Sequence, residues 1–224
     1  MNVQVTTTTT TAAATLRILL VDDHPIVRRG LRNILVDSFG NAVIQEVGSG
    51  REAMELASGH HWDVMILDLS LPDGSGLDVL KRVRQTQPRL PVLILSMHTA
   101  DQFARRAIAA GASGYLVKDA ADAELVTAIG RLLRGGKYFG PEVLEFVAMG
   151  LHPDRDERPH ERLSDREYQI LRMIGSGRTV SEIAAELQLS VKTISTCRAR
   201  VLDKMDMRTN AELTHYAVRH GLAG

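Results

Sequence analysis

The sequence predicts two folded parts: a doubly wound α/β domain with a five-stranded parallel sheet, and a smaller domain made only of helices. Three observations support this fold class. Five short runs rich in Val, Ile and Leu alternate with segments of helical periodicity in the first half. A polar stretch with two prolines, LHPDRDERPHER, interrupts the pattern at 151–162. After it the apolar periodicity is helical only, and 224 residues can form two domains of ordinary size.

The strand-like segments are short, continuous apolar runs, which are typical of strands buried on both faces of a parallel sheet. The predicted strands are LRILLVD (16–22), AVIQEV (42–47), DVMILDL (63–69), PVLILS (91–96) and GYLVK (114–118). The helices predicted between and after them cover 25–36, 51–58, 76–86, 102–110 and 121–133. Pro25 suits a first helical turn, where the missing N–H has no partner to lose.

The chain therefore divides into four segments: a disordered tail at 1–15, the α/β domain at 16–135, a linker with a short helix at 136–160, and the helical domain at 161–224. Four helices are predicted in the last segment, at 165–174, 180–187, 191–205 and 210–220. Each of them is preceded by a residue that can cap a helix N-terminus: Ser164, Thr179, Ser190 and Thr209. Ser164 together with Glu167 fits a capping box.

Composition excludes several classes of protein. Hydrophobic residues make up 44% of the chain and charged residues 24%, which indicates an ordinary globular protein. No apolar run reaches the roughly 18–20 residues needed to span a bilayer, so we expect no membrane insertion. The single cysteine, Cys197, and an N-terminus without a signal peptide favour the cytoplasm. Lys plus Arg balance Asp plus Glu at 27 each, so any basic surface for nucleic acid must be local.

Polar side chains end four of the predicted strands: Asp22 and Asp23, Asp68, Ser96, and Lys118. Because the carboxyl ends of parallel strands meet at one edge of the sheet, we expect these groups to converge. Three carboxylates would repel one another, and Mg²⁺, which prefers oxygen ligands, would relieve that repulsion. A lysine and a hydroxyl add groups that bind phosphate. The set therefore predicts phosphoryl transfer to a carboxylate.

Four segments around these residues, LLVDDHPIVRRGL, DVMILDLSLPDGSGL, LILSMH and GASGYLVKD, resemble in order and spacing the receiver domains of bacterial response regulators. The resemblance covers about residues 16–135 and implies a flavodoxin-like fold. It also implies that Asp68 accepts a phosphoryl group from the phosphohistidine of a sensor kinase. Asp119 follows Lys118 where many receivers have proline.

The same resemblance implies a role for each neighbour of Asp68. Asp23 and the Ser70 carbonyl would hold Mg²⁺ together with Asp68, and Asp22 would act through water. Lys118 would contact the acyl phosphate and Ser96 would bind a phosphoryl oxygen. Tyr115 would be the switch aromatic that moves inward as Ser96 moves. His24 is assigned to the surface or to packing.

The predicted helix that follows Ser190 carries a local charge of +3 up to Arg200, with no acidic residue. The segment LSDREYQILRMIGSGRTVSEIAAELQLSVKTISTCRARVLDKM, followed by NAEL, resembles the LuxR-type helix-turn-helix domain of NarL/FixJ-type response regulators. This resemblance assigns base contacts to Ser195, Thr196 and Ala199. It places five further residues on or near phosphates: Lys192, Thr193, Arg198, Arg200 and Lys204.

The last predicted helix carries Leu213, Tyr216 and Ala217 on one side, and the family resemblance assigns them a contact between two copies on DNA. Dimerisation would double the phosphate contacts of a weakly charged domain. The sequence thus predicts a transcription factor, not an enzyme, with three partners: a sensor histidine kinase, a double-stranded DNA operator and, on activation, a second copy. Phosphorylation of Asp68 would control dimerisation and DNA binding.

Two alternatives stay open from the sequence. The first is a phosphohydrolase that turns over an aspartyl phosphate, although such enzymes usually need an acid two residues after the nucleophile, where this chain has Ser70. The second is a phosphorylated binding module whose helical domain contacts a protein instead of DNA. The kinase, the operator and the direction of regulation are carried by details that the sequence motifs do not contain.

Overall fold

The computed structural model describes residues 15–97, 102–141, 143–144, 158–187 and 189–223. The predicted tail at 1–15 lies outside these residues except for its last position. The short helix predicted within the linker at 136–160 also lies mostly outside them, and Pro141, Val143 and Leu144 are helical.

The first half of the described chain is a parallel sheet with helices on both faces. The strands are β1 (Arg17–Val21), β2 (Val43–Val47), β3 (Val64–Asp68), β4 (Ser70–Leu71), β5 (Gly74–Ser75), β6 (Val92–Ser96), β7 (Gly114–Val117) and β8 (Tyr138–Phe139). Six of them form the main sheet in the order β2–β1–β3–β6–β7–β8, with every neighbouring pair parallel. The other two, β4 and β5, form a short antiparallel hairpin directly after β3.

All five strands that the sequence predicts are present. The predicted sheet of five strands is nevertheless one strand short, because β8, in the predicted linker, adds a sixth. Gly135 adopts a φ of +77°, which favours glycine, and the chain then turns back along β7. The Tyr138 amide donates to the Ser113 carbonyl at 3.0 Å. Two paired residues are too few to show an apolar period, so the pattern could not predict this strand.

Within the described ranges, nine α-helices with defined bounds connect and follow the strands. They are α1 (Pro25–Phe39), α2 (Gly50–Gly59), α3 (Gly76–Thr86), α4 (Gln102–Ala109), α5 (Ala121–Leu133), α6 (Asp165–Gly175), α7 (Val180–Glu186), α8 (Val191–Lys204) and α9 (Asn210–Arg219). Their ends agree with the predicted ranges to within three residues. No described helix is long and apolar enough to cross a membrane.

Alternate residues of the central strands pack on opposite faces of the sheet. Ile18 and Leu20 of β1 join the buried cluster that contains residues of α1 and α5. Leu19 and Val21 join the cluster that contains residues of α2, α3 and α4. Because both faces are covered, the strands are apolar at nearly every position, which explains why the sequence shows runs and not alternation.

Helices α6 to α9 pack around buried side chains that belong to the same cluster as Leu19 and Val21. Ser164, Thr179, Ser190 and Thr209 all cap helices as predicted, since each side chain accepts a hydrogen bond from a backbone amide of the first turn. The predicted capping box of Ser164 and Glu167 is present. Ile170, Ile183 and Ile194 are completely buried between the helices. These caps and this core fix the direction in which α8 presents its outer face.

Candidate functional site

The carboxyl edge of the main sheet brings together the polar residues that the sequence places at strand ends. Val21 is paired with Leu67 across β1 and β3, so Asp22 and Asp68 follow at the same level of the sheet. Asp22, Asp68 and Ser96 are all at most 2% exposed. Buried polar groups at one edge, contributed by separate strands, are typical of a ligand site in a parallel α/β fold.

Lys118 bridges the two buried carboxylates. Its Nζ lies 2.6 Å from Asp22 Oδ2 and 2.7 Å from Asp68 Oδ2, and its side chain is only 6% exposed. Asp22 also accepts a hydrogen bond from the His24 amide at 2.8 Å through its other oxygen. Asp23 adds a third carboxylate to this cluster, which leaves an excess of negative charge over that of Lys118 when all three are ionised.

Burial raises the pKa of Asp68 to about 6, with Lys118 opposing the increase and the Asp22 charge adding to it. The pKa of Lys118 is also raised: burial lowers it, and the charges of Asp68 and Asp22 more than offset that effect. Lys118 is therefore protonated at neutral pH, and Asp68 is mostly a carboxylate. An ionised carboxylate next to a fixed ammonium is a nucleophile that can receive a phosphoryl group.

The acidic residues are close enough to share a cation. One ligand atom from each of Asp22, Asp23, His24 and Asp68 lies within 4.8 Å of the others. The carboxylate oxygens fit a hard divalent cation by their chemistry. His24, which the sequence assigns to the surface or to packing, belongs to this cluster because its Nδ1 lies 2.6 Å from Asp23 Oδ1. Its ring is nevertheless 59% exposed.

The loop after β3 holds Asp68 in place. The Ser70 amide donates to Asp68 Oδ1 at 3.1 Å, which orients the carboxylate. A Cβ on Gly76 would lie 2.1 Å from the Asp68 carbonyl oxygen, so only glycine fits where α3 begins. Asp73 accepts hydrogen bonds from the Gly50 and Arg51 amides at 2.8 Å each and thereby ties this loop to α2. The sequence pattern assigns no role to Gly76 or Asp73, although the segment PDGSG indicates a tight turn.

The two predicted switch residues lie on neighbouring strands. Ser96 ends β6 and is paired with Val117 of β7, one residue before Lys118. Tyr115, two positions earlier on β7, is completely buried. In this conformation the ring is already inward, so the predicted inward movement of Tyr115 stays a prediction about another state.

The helix α8 presents most of the predicted DNA-contacting residues to solvent. The exposed members of that set are Lys192, Thr193, Ser195, Thr196, Ala199 and Arg200. Arg198 is half-buried, and its Nε donates a short hydrogen bond to Asn210 Oδ1. Lys204 is bonded at 2.7 Å to Glu167 Oε2, the acid of the first capping box. These two cations are thus already engaged within the domain.

The predicted dimer residues on α9 differ in exposure. Leu213 and Ala217 are completely buried in the helical domain, and Tyr216 is half-buried. The Tyr216 hydroxyl lies 2.6 Å from His160 Nδ1. Val218, on the same helix, is 62% exposed. A dimer contact at α9 therefore stays a prediction, in which Leu213 and Ala217 would support the surface from beneath.

Comparison with known families matches both parts of the chain. Residues 18–130 match the model described as "Response regulator receiver domain". Residues 161–217 match the model described as "Bacterial regulatory proteins, luxR family".

Known proteins resemble the chain over nearly its whole length. Response regulator UvrY of Escherichia coli O6:H1 is 36% identical over 92% of this chain and 95% of its own. Response regulator GacA of Pseudomonas aeruginosa PAO1 is 34% identical over 92% of this chain and 97% of its own.

Solved structures give the same result. The Salmonella typhimurium response regulator RcsB covers 92% of this chain and 99% of its own, with a TM-score of 0.57 and 25% identity. A LuxR-family two-component response regulator from Aurantimonas covers 61% of this chain and 98% of its own, with a TM-score of 0.58 and 39% identity. A structure of an RcsB–DNA complex is also similar, with a TM-score of 0.57.

Proposed function

Because this chain belongs to the response regulators of the NarL/FixJ type, with a receiver domain and a LuxR-type DNA-binding domain, we propose that phosphorylation of Asp68 controls its DNA binding. The phosphoryl group would come from the phosphohistidine of a sensor histidine kinase. The observation that carries this proposal is the ammonium of Lys118 placed between the buried carboxylates of Asp22 and Asp68. That arrangement supplies a nucleophile, the Asp68 carboxylate, and a cation, Lys118, that can pair with the negative charge of a phosphoryl oxygen.

The acidic residues would hold Mg²⁺ for this reaction. Asp23, Asp68 and the Ser70 carbonyl would be direct ligands, and Asp22 would act through water. Bound Mg²⁺ would neutralise charge on the phosphoryl oxygens and on the carboxylates. The protein itself holds one Asp68 oxygen with the Ser70 amide and the other with Lys118, so the carboxylate is oriented before a donor arrives.

The switch would follow from new contacts to the added phosphoryl group. The Ser96 hydroxyl would bind a phosphoryl oxygen, and Tyr115, on the adjacent strand, would be held in its interior position as Ser96 moves. Only the active arrangement would pair the added charge with Lys118, Ser96 and Mg²⁺ together. This differential contact would shift the population of receiver conformations.

The helical domain would bind operator DNA through α8. Its N-terminus and the exposed Lys192 and Thr193 would contact phosphates, while Ser195, Thr196 and Ala199 would enter the major groove. Arg200 would add a phosphate contact, as would Arg198 and Lys204 after exchanging their present partners. Two copies joined through α9, with Tyr216 at the surface, would occupy two half-sites.

The first test is phosphorylation with a small donor, acetyl phosphate, in the presence and absence of Mg²⁺. Intact mass spectrometry should show one phosphoryl group per chain only with Mg²⁺, and peptide mapping should place it on Asp68. A pool of random duplexes should then yield a consensus operator. Sustained turnover of phosphate esters would instead support a phosphohydrolase, and selection of no DNA by the folded, phosphorylated chain would support a protein-binding module.

A further inference from the structure

The helical domain is docked on the receiver through helix α4. Phe103 of α4 meets Tyr168 of α6 edge to face, with ring centroids 4.9 Å apart. Phe103 is 4% exposed and Tyr168 is completely buried. Aromatic rings that bury each other in this geometry form the centre of a stable contact. One continuous buried cluster runs from the receiver core through Phe103 into the core of the helical domain.

Arginines on both sides enclose this aromatic pair. The Arg106 guanidinium lies 4.6 Å above the Tyr168 ring and donates to the His160 carbonyl at 3.2 Å. From the other domain, the Arg172 guanidinium lies 5.6 Å from the Phe103 ring. The contact therefore combines buried aromatic area with cation–π contacts and a hydrogen bond between the domains.

The docked domain lies over the mouth of the phosphoacceptor site. A cleft of about 360 Å³ separates the two domains. Its receiver side includes Asp23, His24 and Asp68, and its opposite side includes Gln169 and Arg172 of α6. This volume suits a small molecule. An α-helix with its side chains is about 10–12 Å across, so a helix that carries a phosphohistidine could not enter without displacing the helical domain.

From this geometry we propose that domain docking is a size filter for phosphodonors: small donors reach Asp68 in the docked chain, whereas a protein-borne phosphohistidine reaches it only after undocking. The inference rests on the proposed function of Asp68. It differs from occlusion of the DNA surface, because Lys192, Ser195 and Arg200 of α8 stay exposed in the docked chain.

The chemical step is the same for both donor classes. A carboxylate oxygen of Asp68 forms a P–O bond as the P–N bond to imidazole breaks. The bonding pair stays on the imidazole nitrogen, which takes up a proton from solvent. Free phosphoimidazole and a phosphohistidine in a kinase therefore share the leaving group and differ mainly in bulk.

The test compares these two donors on the full chain and on two charge-reversed variants. Arg106→Glu places a carboxylate against the Tyr168 ring and the His160 carbonyl and should undock the domains. Arg82→Glu makes the same change at an exposed position of α3 that faces Met54. The protein donor is whichever autophosphorylated sensor kinase from the host cell phosphorylates the wild-type chain fastest. Small-angle X-ray scattering reports undocking as an increased radius of gyration.

We expect Arg106→Glu to increase the radius of gyration. The rate of phosphorylation by the kinase should rise on the order of tenfold, because the apparent rate scales with the undocked fraction. The rate of phosphorylation by phosphoimidazole should change less than about twofold in both variants, and Arg82→Glu should match the wild type throughout.

Undocking without a faster kinase reaction, or equal acceleration with both donors, would overturn the size filter and leave the proposed function intact. A chain that stays docked in Arg106→Glu would overturn the role given to this contact. Failure of phosphoimidazole to modify the wild-type Asp68 would instead count against the proposed function.

Discussion

The two candidate sites, at the carboxyl edge of the sheet and on the outer face of α8, are built in opposite ways. At the sheet edge, Asp22, Asp68 and Lys118 lie at the ends of three strands with buried side chains, and Lys118 contacts both carboxylates within 2.7 Å. On α8, residues such as Lys192 and Ser195 come from one helix and are exposed. The first site has its geometry before any ligand arrives, whereas the second gains partners only on binding.

This difference predicts different responses to substitution. In a buried, mutually paired set, loss of one member leaves another group without its partner, so the effect is large and not additive. On an exposed helix face each phosphate contact adds a modest, separate and salt-dependent share.

The largest effect is expected for Asp68→Asn. The amide keeps the shape of the side chain but is not a nucleophile, so incorporation of phosphate from acetyl phosphate should fall at least about 100-fold. Asp37→Asn, an exposed change on α1, is the matched control and should behave as the wild type. Phosphate incorporation by a folded Asp68→Asn protein at the wild-type rate would remove Asp68 from its role.

Lys118→Ala should cost stability at pH 7 without Mg²⁺, because two buried carboxylates lose their shared cation. Loss of a partner from a buried ion pair typically costs about 3–5 kcal/mol of the free energy of unfolding. Urea denaturation measures the change, with the exposed Lys137→Ala as the control at less than about 0.5 kcal/mol. Equal stability of the two variants would mean that the sheet edge is not a coupled set.

The raised pKa of Asp68 predicts a pH dependence of stability. The carboxyl titrates at about 6 when folded against an ordinary value of 3.8, so the folded state holds the proton more tightly. The protonated Asp68 carboxyl therefore adds about 3 kcal/mol to the free energy of unfolding below pH 3.8, and this contribution is lost as the pH rises through 6. Mg²⁺ should raise the melting temperature more at pH 7 than at pH 5, since it binds the ionised form. Differential scanning calorimetry of the wild type and Asp68→Asn should show this loss in the wild type only.

The smallest effects are expected for substitutions on α8, and they should distinguish an exposed lysine from one that is already paired within the domain. Lys192→Ala should weaken operator binding by roughly 1 kcal/mol per chain and reduce the salt slope of log K by about 1 per chain. Lys204→Ala should change that slope less, because Lys204 is already paired with Glu167. Fluorescence anisotropy across a salt series measures both. Identical slopes for the two variants would show that the present pairing of Lys204 does not limit its contact with DNA.

The sequence predicted those parts of the fold that repeat a strong local pattern. Five apolar runs became five strands, and the residues that end them, Asp22, Asp68, Ser96 and Lys118, follow from the rule that parallel strands share a carboxyl edge. The caps at Ser164, Thr179, Ser190 and Thr209 were equally local. Strand β8 was missed because two residues carry no period.

Contacts between distant segments could not be predicted in this way. No spacing indicates that His24 turns its ring onto Asp23, that Lys204 pairs with Glu167, or that Arg106 covers Tyr168. Each depends on the position of one element relative to another, which propensity and period do not encode. Gly76 is an intermediate case, since its turn motif is visible but the close approach of its backbone to Asp68 is not.

We propose that the state of Asp68 controls assembly and DNA binding. Light scattering and operator binding on the same sample, with and without Mg²⁺ and beryllofluoride, test this proposal, because beryllofluoride mimics an acyl phosphate at Asp68. We expect the mimic to drive the wild-type chain to a dimer and to tighten its operator binding, and we expect neither effect in Asp68→Asn. Operator binding of unchanged affinity by a chain of unchanged mass, with the mimic bound at Asp68, would show that Asp68 does not control this protein.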